Sequence, residues 1–163
     1  MIKIRCIKLI LKFMNENSGE KDKMTVNGKM KIYLSGPIMD EHLGYAREWR
    51  ETVKTMLGEH FILLDPMRRN FQDRAVDSAN EIVEFDLQDV RDADIILVNY
   101  NKPSIGTSME VFYASHDLGK FVVAFAPFEF QNCSPWMVRY CTKIVKSLEE
   151  SVEYIKNHFV DVN

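Results

Sequence analysis

Cysteine and histidine are scarce in this sequence, and neither occurs in a pattern that binds a metal. The three cysteines, Cys6, Cys133 and Cys141, are odd in number and contain no C-x-x-C pair. Neither a disulfide framework nor a zinc site is therefore predicted. The four histidines are scattered without the spacing of metal ligands. With so little cysteine, a reducing cytoplasm is the compartment that we expect.

The sequence also lacks an excess of positive charge. Its 21 Lys and Arg residues are outnumbered by 24 Asp and Glu residues, which gives a formal net charge of -3. A protein that binds duplex nucleic acid usually needs a basic face to meet the phosphates. We therefore expect no nucleic-acid polymer as partner, and a small, neutral or weakly charged substrate fits better. A chain of 163 residues, 46% hydrophobic and 28% charged, is typical of one soluble globular domain.

No uncharged hydrophobic run is long enough to span a bilayer. Residues 2–14 are the most apolar part of the N-terminal region, but Lys3, Arg5, Lys8 and Lys12 interrupt them. The same interruptions, and the lack of a small-residue cleavage site, argue against a signal peptide. No membrane association is therefore predicted for the domain as a whole.

Residues 1–29 are interpreted as a dispensable N-terminal extension or linker, followed by one domain at residues 30–163. The second half of the extension is polar and contains two glycines, as a linker would. Three interpretations remain open for it: an amphipathic packing or membrane-surface segment, an ordered extra strand or helix, and a translated leader upstream of a start at Met24 or Met30.

From Met30 onward, short apolar runs alternate with longer amphipathic segments, which is typical of βαβ units around a parallel sheet. Strands are predicted at residues 31–34, 61–64, 94–99 and 121–126, with a last short strand bordered by Trp136–Val138 and Lys143–Val145. Helices are predicted at residues 45–57, 81–90 and 107–118, and from Ser147, where Ser147-x-x-Glu150 forms a capping box. The fold class is therefore α/β, a flavodoxin-like three-layer sandwich with a mostly parallel five-stranded sheet.

Polar residues stand where the predicted strands end. Tyr33 and Gly36 follow the first strand, Asp65 follows the second, and residues 99–110 follow the third. Ligands of such folds gather outside the carboxyl ends of the strands, so these residues are candidates for a site. Asp86 lies on the helix that leads into the third strand.

Each candidate also has a plainer explanation from its position. Glu110 falls in the first turn of the helix predicted after Gly106, where the helix dipole favours an acid. Asp86 has acidic neighbours and could belong to a solvated helix face, and Tyr33 could be a core residue. The long polar segment 67–78, with Arg68, Arg69 and Arg74, is predicted to be a functional loop whose arginines are either solvated or bind substrate.

Four segments in order resemble the nucleoside 2-deoxyribosyltransferase family. The similarity covers residues 31 to about 140. It is carried by IYLSGPI at 32–38, EFDLQDV at 84–90 with ADIILV at 93–98, PSIGTSME at 103–110 with Tyr113-Ala114 and Gly119-Lys120, and, more weakly, NCSPW at 132–136.

The resemblance implies a catalytic set of Glu110, Asp86 and Tyr33. Glu110 would attack the anomeric carbon of a deoxyribosyl group and form a covalent intermediate. Asp86 would manage the proton of the departing base, and the Tyr33 hydroxyl would orient the nucleophile. No metal or organic cofactor is implied, since the nucleophile and the acid are side chains. The expected substrate-binding residues are Gly36, Pro37, Asp65, Ser104, Gly106, Met109, Asn132 and Ser134.

Two activities are compatible with the resemblance. Asn132 matches an asparagine that transferases share between subunits, which favours transfer between deoxynucleosides and free nucleobases in a homo-oligomer. Ser104 stands where transferases have an aspartate, and together with Ser134 it is more similar to deoxynucleoside 5′-monophosphate N-hydrolases, in which hydroxyls hold a phosphate. We expect the transferase, with the hydrolase as alternative. A non-catalytic nucleotide-binding module is a third possibility, because a fold does not determine a function.

Overall fold

The computed structural model describes residues 28–38, 43–69, 71, 77–127, 129 and 132–160. Almost all of the predicted extension 1–29, and Arg74 of the polar segment, lie outside the described residues. Within the described part of the chain, no helix is long and apolar enough to cross a membrane.

The described strands form a single five-stranded sheet in which every neighbouring pair is parallel. Its order is β2-β1-β3-β4-β5. This is the strand order of flavodoxin-like doubly wound folds, so the predicted fold class is confirmed, and the sheet is wholly rather than mostly parallel. The strands are β1 Lys31–Ser35, β2 Ile62–Leu64, β3 Ile95–Asn99, β4 Phe121–Phe125 and β5 Lys143–Val145.

Helices cover both faces of the sheet. They are α1 Leu43–Leu57, α2 Ala79–Asp92, α3 Ile105–Phe112, α4 Pro135–Tyr140 and α5 Leu148–Phe159. A 3₁₀ turn, Pro66–Arg68, follows β2, and a π-helical turn, Tyr113–Asp117, continues α3. The predicted cap of the last helix is confirmed, since Ser147 Oγ accepts a hydrogen bond from the Glu150 backbone at 3.2 Å.

Helix α4 was not predicted. The sequence pattern predicts that Trp136–Val138 border the last strand, but these residues lie in this helix, and only Lys143–Val145 is a strand. The local reason is a helix start: Ser134 accepts a hydrogen bond from the Trp136 backbone, and Pro135 occupies the first helical position, where its missing N–H is not needed.

Alternation along β1 assigns its side chains to two different cores. Ile32 and Leu34 pack in the core that lies under α1 and α5. Tyr33 packs in the other core, under α2, α3 and α4. Because successive side chains of a strand point to opposite faces, Ser35 shares the face of Tyr33. The carboxyl end of β1 therefore presents two hydroxyl groups toward the layer that contains α2 and α3.

Arg50 ties the end of β1 to the end of β2. Arg50 belongs to α1, and its side chain is fully buried. Its guanidinium donates hydrogen bonds to the carbonyl oxygens of Leu34 at 3.4 Å and Gly36 at 3.1 Å. Its Nε lies 3.4 Å from Asp65 Oδ1. Asp65 also pairs with Lys54 at 2.9 Å and caps the 3₁₀ turn through the Met67 backbone N–H. These contacts hold the backbone in place at the ends of β1 and β2, where the polar residues lie.

Arg50→Ala is expected to lower the free energy of unfolding by about 3–5 kcal/mol, because Asp65 and two carbonyl groups lose a buried partner. Urea denaturation measures the change. The control is Arg47→Ala on the exposed side of the same helix, for which a change within about 0.5 kcal/mol is expected. Equal, small losses in both variants would show that Arg50 does not hold the strand ends.

Candidate active site

The Glu110 carboxylate receives hydrogen bonds from both hydroxyl groups of β1. Tyr33 Oη donates to Glu110 Oε1 at 2.9 Å, and Ser35 Oγ donates to Glu110 Oε2. Both donors belong to fully buried residues, whereas Glu110 is partly exposed. The carboxylate is thus held in a defined orientation at the carboxyl end of the sheet.

Glu110 does not lie in the first turn of its helix, contrary to the prediction. Helix α3 begins at Ile105, two residues earlier than expected, because Ser104 is its N-cap and accepts a hydrogen bond from the Thr107 backbone. Glu110 is consequently in the second turn, and no acidic residue occupies the first. Its position is explained by the hydroxyls of β1 and not by the helix dipole, which acts mainly within the first turn.

Asp86 is a second acid on the same side of the sheet. It lies on α2 with 22% of its side chain exposed, and its Oδ1 is 3.4 Å from Arg69 Nη1. Asp89, one turn further along α2, is buried and pairs with Arg68 at 2.6 Å and with Arg69 at 2.8 Å. The acidic face of α2 is therefore not simply solvated, because two arginines of the segment after β2 are bound to it.

Burial raises the pKa of both carboxyl groups toward neutrality. The pKa of Glu110 rises to about 7, mainly through desolvation and also through the nearby negative charge of Asp86, while the hydrogen bonds from Ser35 and Tyr33 and the charge of Arg50 oppose the rise. The pKa of Asp86 rises to about 6, again through desolvation, with Arg69 as the largest opposing influence. Two acids with raised and different pKa values are a common basis for acid–base assignments in active sites.

Tyr33 acts as a donor at this site. Burial, followed by the negative charge of Glu110, raises the pKa of its phenol well above the ordinary value of 10.0. The phenol stays protonated at neutral pH, and its proton is directed at Glu110 Oε1. This contact agrees with the orienting role implied for Tyr33.

Gly36 lets the chain leave β1 through a narrow space. A Cβ atom at this position would lie 3.0 Å from Asn99 Cβ and 3.0 Å from Trp49 Cζ2. Both contacts are tighter than nine in ten real Cβ contacts, so a larger residue would require Asn99 or Trp49 to shift by a few tenths of an ångström. Pro37, which follows, is buried. Gly36 and Pro37 therefore shape the strand end beside the Glu110 carboxylate.

The other candidate binding residues fall into three places. Ser104, Gly106 and Met109 lie at the start of α3 and on the helix that carries Glu110, with Met109 67% exposed. Asn132 and Ser134 lie at the start of α4. Asp65 is buried and bound to Arg50 and Lys54, so its carboxylate already has structural partners. Of the predicted site residues, the structure places Tyr33 in hydrogen-bond contact with Glu110 and Asp86 near enough to influence the pKa of Glu110.

A groove of largely apolar character runs between α3 and α4. It is lined by Ser108, Val111, Phe112, Ser134, Trp136, Met137 and Tyr140. Around it Ile105, Met109 and Trp136 are 83%, 67% and 64% exposed. Exposed apolar groups that cluster in this way are characteristic of contact surfaces.

Among the residues that the structure describes, no three His, Cys, Asp or Glu side chains are grouped so that they could hold a metal ion. The site itself contains a carboxylate held by two hydroxyls and a second carboxyl group beside an arginine.

Two residues that contribute to the site, Ser35 and Arg69, are not among the catalytic and binding residues predicted from the sequence. Ser35 stands two residues after Tyr33, so the strand period placed both hydroxyls on one face, and this signal was available. Arg69 was considered only as a solvated or substrate-binding residue. Its pairing with Asp86 and Asp89 spans 17 and 20 positions of the chain, and no local pattern indicates it.

The fold and the site define a doubly wound α/β protein in which two acids, Glu110 and Asp86, lie near Tyr33 of β1. The family profile for nucleoside 2-deoxyribosyltransferases matches residues 32–152. The chain belongs to this family, and the resemblance seen in its motifs is confirmed. Comparison with curated protein sequences gives no match.

Solved structures with the same fold include three of particular interest. A conserved protein from Enterococcus faecalis V583 is 18% identical, with a TM-score of 0.66 over 81% of this chain and 100% of the other. The 2-deoxyribosyltransferase of Bacillus psychrosaccharolyticus is 22% identical, with a TM-score of 0.60 over 76% of this chain and 91% of the other. The CMP N-glycosidase of Clostridium botulinum is 15% identical, with a TM-score of 0.55 over 79% of this chain and 99% of the other.

Glu110→Gln is expected to stabilise the protein increasingly as the pH rises. The wild-type carboxyl has a pKa of about 7 when folded and an ordinary value of 4.5. The folded state therefore binds more protons than the unfolded state between these values, and wild-type stability falls as the pH rises through this window. The neutral amide does not titrate. Relative to wild type, the variant should gain about 1–3 kcal/mol between pH 5 and pH 8 in urea denaturation.

The matched control is Glu84→Gln, an exposed glutamate on α2, which makes the same change in net charge. A gain in Glu110→Gln that is the same at both pH values, or no larger than the gain in Glu84→Gln, would contradict the raised pKa of Glu110.

Proposed function

We propose that this protein is a nucleoside 2-deoxyribosyltransferase, which moves the deoxyribosyl group of a 2′-deoxynucleoside from one nucleobase to another. The observation that carries the proposal is the Glu110 carboxylate, which accepts hydrogen bonds from Tyr33 and Ser35. A carboxylate that is oriented by two hydrogen bonds and accompanied by a second acid suits nucleophilic attack on a sugar carbon. Family membership and the deoxyribosyltransferase among the solved structures support the same activity.

The proposed reaction has two steps that mirror each other. In the first, a Glu110 oxygen bonds to C1′ while the C1′–N bond breaks, its electron pair leaves with the base, and Asp86 gives a proton to the base nitrogen. In the second, a nitrogen of another base bonds to C1′, the ester oxygen of Glu110 leaves as carboxylate, and Asp86 takes the proton of the incoming base. No cofactor is needed, because both groups are side chains.

The proposed reaction requires Glu110 ionised and Asp86 protonated; since the pKa of Glu110, about 7, is the higher of the two, this is the minor of the two singly protonated forms. A base anion is a poor leaving group unless it is protonated, and a carboxyl group with a pKa of about 6 can supply a proton near neutral pH. Positive charge develops on the sugar ring in an oxocarbenium-like transition state, and the carboxylates stabilise it. A 2′-hydroxyl would oppose this charge, so deoxyribose is the sugar that we propose.

Substrate is proposed to bind where the ends of β1 and β3 meet the start of α3. Gly36, Pro37, Ser104, Gly106 and Met109 would contact the sugar and base, with Asp65 as a further member from the end of β2. Asn132 and Ser134 are proposed to serve the site of a neighbouring subunit in a homo-oligomer. The exposed apolar groove between α3 and α4 supports such an oligomer, since Ser134 and Trp136 line it. A cytoplasmic role in nucleotide salvage belongs to the same proposal.

Hydrolysis of deoxynucleoside 5′-monophosphates is the second candidate. The observation that favours it is Ser104, an uncharged N-cap residue on the helix that carries Glu110. A hydroxyl and free backbone N–H groups suit a phosphate, which a carboxylate at this position would repel. Water would then take the place of the second base. An N-glycosidase among the solved structures of this fold gives the alternative further support.

An exchange assay separates the candidates. Protein is incubated with deoxyinosine and adenine, and the products are resolved by chromatography. The transferase forms deoxyadenosine. Glu110→Ala should lose about 10³-fold or more of the rate, as removal of a nucleophile does, and Asp86→Asn should lose about 10²–10⁴-fold. Glu84→Gln on the exposed face of α2 serves as the control and should keep the wild-type rate.

Other product patterns point elsewhere. Release of hypoxanthine without a new nucleoside, and faster turnover of deoxyinosine monophosphate, would replace the transferase by the hydrolase. Binding of nucleosides without any turnover, unchanged in Glu110→Ala, would mean a non-catalytic module and would overturn both.

A further inference from the structure

Arg69 connects the segment after β2 to both acids of α2. Its Nη2 lies 2.8 Å from Asp89 Oδ2, and its Nη1 lies 3.4 Å from Asp86 Oδ1. The guanidinium also lies over the ring of Phe85, with 4.6 Å from its Cζ to the ring centre. Its side chain is 18% exposed, so three contacts hold a nearly buried cation beside Asp86.

The two contacts of Arg69 with carboxylates are of different kinds. Asp89 is 6% exposed and is bound by Arg68 as well as by Arg69, so this ion pair anchors the guanidinium. The contact with Asp86 is longer, and 22% of the Asp86 side chain is open. Asp86 and Asp89 lie three residues apart, on one face of the helix. The planar fork of arginine can therefore rest on Asp89 with one nitrogen and direct the other at Asp86.

We propose that Arg69 is a positioning residue for catalysis, which is anchored by Asp89 and Phe85 and which holds the Asp86 carboxyl group in place toward the substrate base. The inference rests on the proposed function, in which Asp86 exchanges a proton with the base. The same role would explain why an arginine of the polar segment after β2 is bound to α2 and does not extend into solvent.

The charge of Arg69 also affects the pKa of Asp86. The charged and titratable groups that act on Asp86 from the surrounding elements are Tyr33, Arg50, Arg68, Arg69, Asp89 and Glu110. Of the cations in this set, Arg69 has the largest effect, and it lowers the Asp86 pKa against the rise that burial causes. A tight ion pair would keep Asp86 ionised and no longer able to donate, whereas the 3.4 Å contact permits both protonation states.

Arg69→Gln tests the inference by two independent measurements. The first is a ¹³C-carboxyl NMR titration of Asp86, which needs no turnover. Loss of the cation should move the midpoint upward by about one pH unit. The second is the pH dependence of kcat/KM for base release, in which the limb that is absent from Asp86→Asn should move upward by a similar amount. The rate at the optimum should fall about 10-fold or more, because the carboxyl group is no longer oriented.

Two further variants keep the test specific. Arg69→Lys retains the charge and should return both midpoints toward the wild-type values, while the loss of the fork leaves part of the rate defect. Arg68→Gln also removes a partner of Asp89 but no contact with Asp86, so its shift should be clearly smaller. In an Asp86→Asn background, Arg69→Gln should have little additional effect on the rate.

The outcomes separate this inference from the function on which it rests. An unchanged NMR midpoint in Arg69→Gln, or a shift no larger than in Arg68→Gln, would overturn the role of Arg69 whatever the activity. A shifted midpoint together with a wild-type protein that releases no base would overturn the proposed function and, with it, the catalytic part of the inference. Full rescue of the rate by Arg69→Lys would show that charge alone matters and that Arg69 does not position Asp86.

Discussion

The site depends on one interaction, the pair of hydrogen bonds by which β1 holds the Glu110 carboxylate. Burial at the end of the sheet disfavours the charge of this group, and the two hydroxyls restore part of the loss. The same donors leave the carboxylate few orientations. These donors are on a strand that has a parallel neighbour on each side, so the nucleophile proposed here is held by an interior strand of the sheet.

Other residues around Glu110 support this arrangement, some through the ends of the strands and some through their charge. Arg50 binds the backbone at the end of β1 and so fixes the point at which the strand ends and the loop begins. Gly36 permits the close passage between β3 and α1. Asp86 raises the pKa of Glu110 through its charge, and Arg69 lowers that of Asp86 in turn. The two acids are therefore linked through a chain of charges that begins on the segment after β2.

Patterns in the sequence predict features that depend on neighbours in the chain. The apolar runs of β3 and β4 and the Ser147 cap follow from period and capping chemistry, and the structure has them. Tyr33, predicted at the end of the first strand, lies in the middle of β1, which Ser35 ends. Helix α3 begins earlier than predicted because Ser104 caps it, although a capping residue was visible there. Contacts such as Arg69 with Asp86 depend on how the segment after β2 packs on α2, and the substrate-binding roles depend on a bound ligand. Neither kind of information is local.

The most direct test of the account is the mass of the protein after rapid acid quenching during reaction with a deoxynucleoside. Attack by Glu110 on the sugar predicts a population heavier by one deoxyribosyl unit, with the added mass on the peptide that contains Glu110 and absent from Glu110→Ala. Base release at the wild-type rate in Glu110→Ala, or an adduct on another peptide, would contradict the central role of this carboxylate.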